Sequence, residues 1–111
     1  MRINSYSFGE ITVNKKIFSS DLIIFDNKIS TNWWRKKGHF IHKEDLEEVF
    51  KYNPDTLIIG TGKYGKMKVS DNIIDELNNY NIKVIVRKTD KAVNLFNKTK
   101  GKKTAALHLT C

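Results

Sequence analysis

The hydrophobic period of this chain changes part-way along, and that change limits the fold more than any other feature. Up to Trp34, apolar and polar residues alternate, as in Tyr6-Ser7-Phe8 and Ile11-Thr12-Val13. Gly9, Asn14-Lys15-Lys16 and Asp26-Asn27-Lys28 break the runs. Period-two alternation punctuated by such residues predicts β hairpins in a meander. Leu22-Ile23-Ile24-Phe25, bounded by Asp21, reads as a short buried strand, and Ile29 to Trp34 extends again.

Beyond that point helices and strands alternate. Leu46, Val49 and Phe50 fall on one helical face within 42–52, Glu44 and Asp45 sit in the first turn, and Pro54 ends the segment. Leu57-Ile58-Ile59 predicts a strand. Ser70 is an N-cap candidate before Ile73, Ile74 and Leu77. Ile82 to Val86 predicts the next strand. Thr89 is expected to cap a helix carrying Ala92, Val93 and Phe96, with Lys98 and Lys100 in its last turn and Gly101 at C′. Thr104 to Thr110 predicts a final strand. Strands that alternate with helices imply a parallel sheet with crossover helices. The reading is a single α/β domain over residues 1–111.

Glycines make the most conspicuous motif. The strand 56–59 runs into Gly60-Thr61-Gly62-Lys63-Tyr64-Gly65, a Gly-x-Gly-x-x-Gly string. A dinucleotide fingerprint needs those glycines to open the next helix, so that pyrophosphate rests on its N-terminus. Here Lys66 to Val69 intervene before the Ser70 cap, and the following strand ends in Arg87-Lys88 rather than in an acid for a ribose. The chain is also too short for two nucleotide-binding halves. The broken context argues against dinucleotide binding, and no cofactor is expected. A smaller anion, a phosphate or carboxylate, could still meet backbone N–H groups at Gly60, Thr61 and Gly62 with Lys63 beside them, in a binding protein or a weak enzyme, because open α/β sheets bind ligands at the carboxyl ends of their strands.

The net charge is +8 over 111 residues, and it is unevenly spread. Between Ile82 and Lys103 eight basic residues (Lys83, Arg87, Lys88, Lys91, Lys98, Lys100, Lys102, Lys103) face one acid, Asp90. Such a run attracts anions. No aromatic residues interleave with it as base stacking would require, so nucleic acid is disfavoured as a partner. No apolar run approaches the ~20 residues of a membrane span. There is one cysteine, Cys111, and no signal-peptide pattern at the N-terminus, so a reducing cytoplasm is the expectation.

His39, His42, His108 and Cys111 together could ligate zinc, but no Cys-x-x-Cys exists, and neither a metal site nor a catalytic residue is expected. On a strand, His108 shares a face with Thr110 and not with Cys111, which disfavours a Cys-His pair. Trp33-Trp34-Arg35 is more suggestive. Neighbours on a strand face opposite ways, so one tryptophan enters the core while the other looks out. An outward Trp near Arg35 and His39 is a candidate partner-binding anchor. An exposed strand edge also leaves a homodimer open.

Five segments together resemble a known family. They are Ile3-Asn4-Ser5-Tyr6-Ser7-Phe8-Gly9, Trp34-Arg35 with Gly38-His39, Leu57-Ile58-Ile59-Gly60-Thr61-Gly62, Thr89 with Ala92 and Asn97, and Ala106-Leu107-His108-Leu109-Thr110-Cys111. The chain resembles, over essentially its whole length, the small α/β domain of unknown biochemical function found in methanogens. That domain is shared with an adipogenesis-associated protein and the mitochondrial complex I assembly factor. The resemblance implies three layers: N-terminal β hairpins, and helices packed on a mixed, mostly parallel five-stranded sheet. It implies no reaction, and by the assembly-factor relative it implies a non-enzymatic binding or assembly role with a protein partner. Lys15 stands where a glycine is expected and Lys88 where a proline is expected, which questions the early turn and the entry to the last helix.

Overall fold

The computed structural model describes residues 1–111. Strands β1 (Ile3–Ser7), β2 (Glu10–Val13) and β3 (Lys16–Phe18) form an antiparallel hairpin sheet. Strands β4 (Leu22–Ile24), β5 (Ile29–Ser30), β6 (Thr56–Thr61), β7 (Lys83–Arg87) and β8 (Lys103–His108) form a second sheet in the order β5-β4-β8-β6-β7. Its β6–β7 and β6–β8 pairs are parallel, and β4–β5 and β4–β8 are antiparallel. Helices α1 (Glu47–Tyr52), α2 (Asp71–Asn79) and α3 (Thr89–Lys98) complete the fold.

The five-stranded sheet is the middle of three layers. Side chains alternate across it. Leu22, Ile24, Ile58, Ala105 and Leu107 pack with Ile3, Ile11 and Val13 of the hairpins and with Ala92, Val93 and Phe96 of α3. Ile23, Leu57, Ile59 and Ala106 point the other way, onto Trp33, Ile41, Leu46, Val49 and Leu77. Leu57, Ile58 and Ile59 are fully buried, each stabilising the fold by about 1.5–3 kcal/mol relative to exposure. A strand buried on both faces explains why this run is continuous rather than alternating.

Local chemistry accounts for most boundaries. The β2–β3 turn places Asn14 at φ +48° and Lys15 at φ +68°, the left-handed pair that suits a two-residue hairpin. Lys15 thus adopts the glycine-like conformation, and its N–H donates to Asn4 Oδ1 at 2.8 Å. Ser70 caps α2 as expected, accepting from Ile73 N at 3.3 Å. Three expectations shift. The segment 42–52 is a 3-10 turn (Lys43–Leu46) followed by α1, which Asn53 ends in the left-handed region. The run 29–34 is a strand only to Ser30, because Asn32 turns left-handed at φ +54°. Helix α3 starts at Thr89 after Lys88 and stops at Lys98, so Lys100 lies beyond it. Lys88 takes φ −60°, the value a proline ring would fix, so entry to the helix keeps that geometry without the ring.

The chain passes from β6 to β7 on one side and returns to β8 on the other, with α2 and α3 on opposite faces. The carboxyl end of β6 is therefore a topological switch point, the usual place for a crevice in such sheets. Both candidate sites read from the sequence lie at this end. No helix is long and apolar enough to cross a membrane.

Candidate functional site

Antiparallel pairing of β4 with β8 puts Leu22 opposite Leu107, which brings Asp21 and His108 together one step further out. Asp21 is the hub of a polar cluster. Its Oδ1 accepts from Leu109 N at 2.7 Å, and its Oδ2 lies 2.7 Å from His108 Nδ1 and 2.6 Å from Arg35 NH2. A carboxylate oxygen and a ring nitrogen at that distance require a proton between them, so His108 Nδ1–H donates to Asp21. The 3.1 Å approach of Arg35 NH2 to the same nitrogen is then a packing contact. Burial raises the Asp21 carboxyl, but hydrogen bonds from His108, Leu109 N–H and Arg35 outweigh it and hold the group below the ordinary value of 3.8. His108 Nε2 is buried and makes no hydrogen bond within the protein, and the His39 ring meets the His108 ring edge-on at 5.9 Å.

This cluster pins the segment 31–42 to the sheet. Arg35 is 7% exposed, its Nε donates to Gly38 O at 3.0 Å, and its guanidinium lies 4.6 Å from the Trp33 ring. Trp33 is 8% exposed and donates through Nε1 to Asp45 O at 2.9 Å. Trp34 is 78% exposed. The two tryptophans do face opposite ways, although the segment is not a strand. His39 is exposed on the same segment. Beside Trp34 lies an open cleft of about 490 Å³, with Ser20, Asn32 and Lys36 on its walls and Asp21 and Arg35 also lining it.

The glycine loop stands nearby and is built differently. Gly62 N donates to Thr89 Oγ1 at 2.9 Å, Lys63 N to Thr110 O at 2.7 Å, and Lys66 N to Cys111 O at 3.1 Å. Thr89 Oγ1 donates in turn to His108 O at 2.6 Å, so its hydroxyl ties the loop to β8 instead of capping α3. Gly62 has φ +102°, and a Cβ there would lie 2.4 Å from the Cys111 carbonyl carbon. At Gly60 a Cβ would lie 2.8 Å from Thr89 Oγ1 and from Leu107 Cδ2. Gly62 allows residues 110–111 to pack against the loop backbone, and Gly60 does the same for the start of α3. Thr61 donates to Arg87 O at 3.2 Å, and Lys63 pairs with Asp90 at 3.2 Å. Helix α2 opens only at Asp71, well past the glycines.

The remaining candidates are dispersed. No group of three or more His, Cys, Asp or Glu side chains is arranged to hold a metal ion. Cys111 is a free, half-buried thiol. Within the late basic run, Lys102 Nζ and Lys103 Nζ donate to backbone carbonyls of Tyr52 and Phe96 rather than facing outward together. Tyr6, which donates to Leu109 O at 2.8 Å, has its phenol pushed up to about 12 by burial, with Asp90 and Asp21 adding to the shift.

Asp21 is the residue that the sequence reading missed as a site member. It appears there only as the boundary of an apolar run. The available signal was a carboxylate directly preceding a strand buried on both faces, where water is scarce and a partner is required.

The architecture is that of a three-layer α/β domain with a polar cluster at the carboxyl end of its central sheet. The chain belongs to the family described as "Protein of unknown function (DUF498/DUF598)", matched over residues 3–109. It is similar to the conserved hypothetical protein PH1505 from Pyrococcus horikoshii OT3, with TM-score 0.86, 26% identity and 100% of each chain covered. The Rpa2829 protein from Rhodopseudomonas palustris shares the fold at TM-score 0.74 and 21% identity, covering 95% of this chain and 80% of that one. A Bordetella pertussis protein described as a Mth938-like domain gives TM-score 0.72 and 15% identity, covering 97% of this chain and 85% of that one. No curated protein matches the sequence.

Proposed function

We propose that this chain is a non-enzymatic protein-binding or assembly module whose contact surface centres on Trp34. One observation carries the reading: a 78% exposed tryptophan follows directly on a buried one, on a segment clamped by Arg35, Asp21 and His108. A large apolar ring held in water adds little to the fold's own burial, and tryptophan is enriched among residues that dominate interfaces. The clamp restricts the loop before binding, which lowers the ordering cost of association. His39 and the cleft beside Trp34 extend the surface. The assembly role implied by the family resemblance agrees with this reading.

Trp34→Ala tests it. Immobilised wild-type chain and variant would be compared for the proteins each retains, quantified by mass spectrometry. At least about a tenfold loss of a wild-type partner is expected, with folding unchanged. Equal retention by both overturns the proposal. Arg35 is unsuited to this test because its removal would disturb the buried cluster.

A further inference from the structure

The segment that carries Trp34 leads into a stripe of exposed aromatic rings and lysines. Phe8 and Tyr64 pack ring on ring with centroids 6.3 Å apart, and they are 54% and 66% exposed. Tyr64 N and Lys66 N both donate to Cys111 O, which places them side by side. Lys68 pairs through its backbone with Phe40, and Phe40 with Lys37. Phe40 is 53% exposed. The order along the surface is thus Phe8, Tyr64, Lys66, Lys68, Phe40, Lys37, and Trp34 stands three residues before Lys37. Ion pairs in this region engage Lys36 with Glu44 and Lys63 with Asp90, and they leave Lys37, Lys66 and Lys68 outside any ion pair, although Glu44 lines the same hollow as Lys37, Phe40 and Lys68.

Apolar knobs separated by unpaired lysines define the complement. We propose that this stripe recognises an acidic amphipathic segment of the partner protein, one that alternates carboxylates with apolar side chains. The inference rests on the protein-binding reading and names the chemistry of the partner. Charge complementarity gives the sign, because three unpaired ammonium groups on either side of Phe40 repel a basic segment and attract an acidic one. The knobs give the apolar half, since Trp34, Phe40 and the Phe8–Tyr64 pair supply three anchor points rather than one continuous patch. Single-stranded nucleic acid is the rival that aromatic rings among lysines bring to mind. Two features favour the peptide. Phe8 and Tyr64 cover part of each other instead of standing free for stacking, and no exposed arginine lies in the stripe to grip phosphate in bidentate fashion.

The test measures fluorescence anisotropy with the full chain and three labelled probes: a short peptide alternating Glu and Leu, its Lys and Leu counterpart, and a short oligothymidylate. The acidic peptide should bind at least about tenfold more tightly than either other probe. The triple variant Lys37→Glu, Lys66→Glu, Lys68→Glu should lose about tenfold for it, and the matching glutamine triple variant less. Circular dichroism on both triple variants confirms that each is folded. Equal affinity for acidic and basic peptides, or a charge-reversed variant that still binds the acidic one, overturns the inference. Tighter and steeply salt-dependent binding of the oligothymidylate overturns it in favour of nucleic acid. Loss of charge selectivity with Trp34 dependence retained removes the acidic segment and leaves the protein-binding reading in place.

Discussion

The loop 62–66 and the segment 31–42 lie at the same end of the central sheet, one on each side of residues 108–111. In the first, backbone N–H groups at Gly62, Lys63, Tyr64 and Lys66 donate to Thr89 Oγ1, Thr110 O and Cys111 O. In the second, the buried side chains of Trp33 and Arg35 hold an exposed Trp34 in place. One loop turns its hydrogen-bond donors inward onto the chain itself, and the other turns a large apolar ring outward. The carboxyl end of a parallel strand is therefore no guarantee of an open site. What decides is whether the donors there already have partners, and the N–H groups of Gly62 and Lys63 are taken by Thr89 Oγ1 and Thr110 O.

The sharpest way to break this comparison is to remove the anchor of the second segment. Asp21→Ala leaves the Arg35 guanidinium and the His108 N–H buried without their carboxylate. Breaking a buried pair in this way costs about 3–5 kcal/mol. Equilibrium denaturation should show that loss, and a change below about 1 kcal/mol would mean that Arg35 is not held by Asp21.

The first loop is probed by Gly62→Ala. A methyl group would meet the Cys111 backbone, and φ +102° strains any residue with a Cβ. Strain alone is worth about 1–3 kcal/mol, and the close approach adds to it. A loss of at least about 2 kcal/mol in the denaturation free energy is expected. An unchanged stability would show that residues 110–111 are not packed on the loop.

A gentler perturbation is acid. The Asp21 carboxyl titrates below 3.8 in the folded chain, because donation from His108, Leu109 N–H and Arg35 outweighs its burial. A depressed carboxyl stabilises the fold above its unfolded value, and that contribution is lost as the pH falls through the folded value. Thermal stability should therefore decline below about pH 4, and Asp21→Asn should flatten that decline. Equal acid slopes in the two proteins would assign the loss to other carboxylates.

Much of this was legible in the sequence, and the failures have physical causes. The period switch gave the hairpins and the helix–strand alternation, because burial on one or both faces imposes its own spacing on each strand and helix. Spacing also showed that the glycine loop does not open a helix, since Ser70 rather than Gly62 precedes α2. The close contacts of Gly60 with Thr89 and Leu107, and of Gly62 with Thr110 and Cys111, were not legible. A glycine that allows another backbone to approach reads the same as one that frees a ligand's path. The cluster of Asp21, Arg35 and His108 is likewise a product of β4–β8 pairing across most of the chain, and no local pattern records that register.

Trp34→Ala should give the smallest effect on stability, and for that reason it is the most informative about function. Surface substitutions away from caps and buried networks stay within about 0.5 kcal/mol. Trp34 is 78% exposed, whereas Trp33, its neighbour, is 8% exposed and donates to Asp45 O. Adjacent residues of one type thus separate the two roles of the segment. If truncating Trp34 costs more than about 1 kcal/mol in denaturation, the ring is packed on its own chain and the surface reading loses its anchor. If stability is unchanged while a partner is lost, the exposed ring has a binding role that folding does not require.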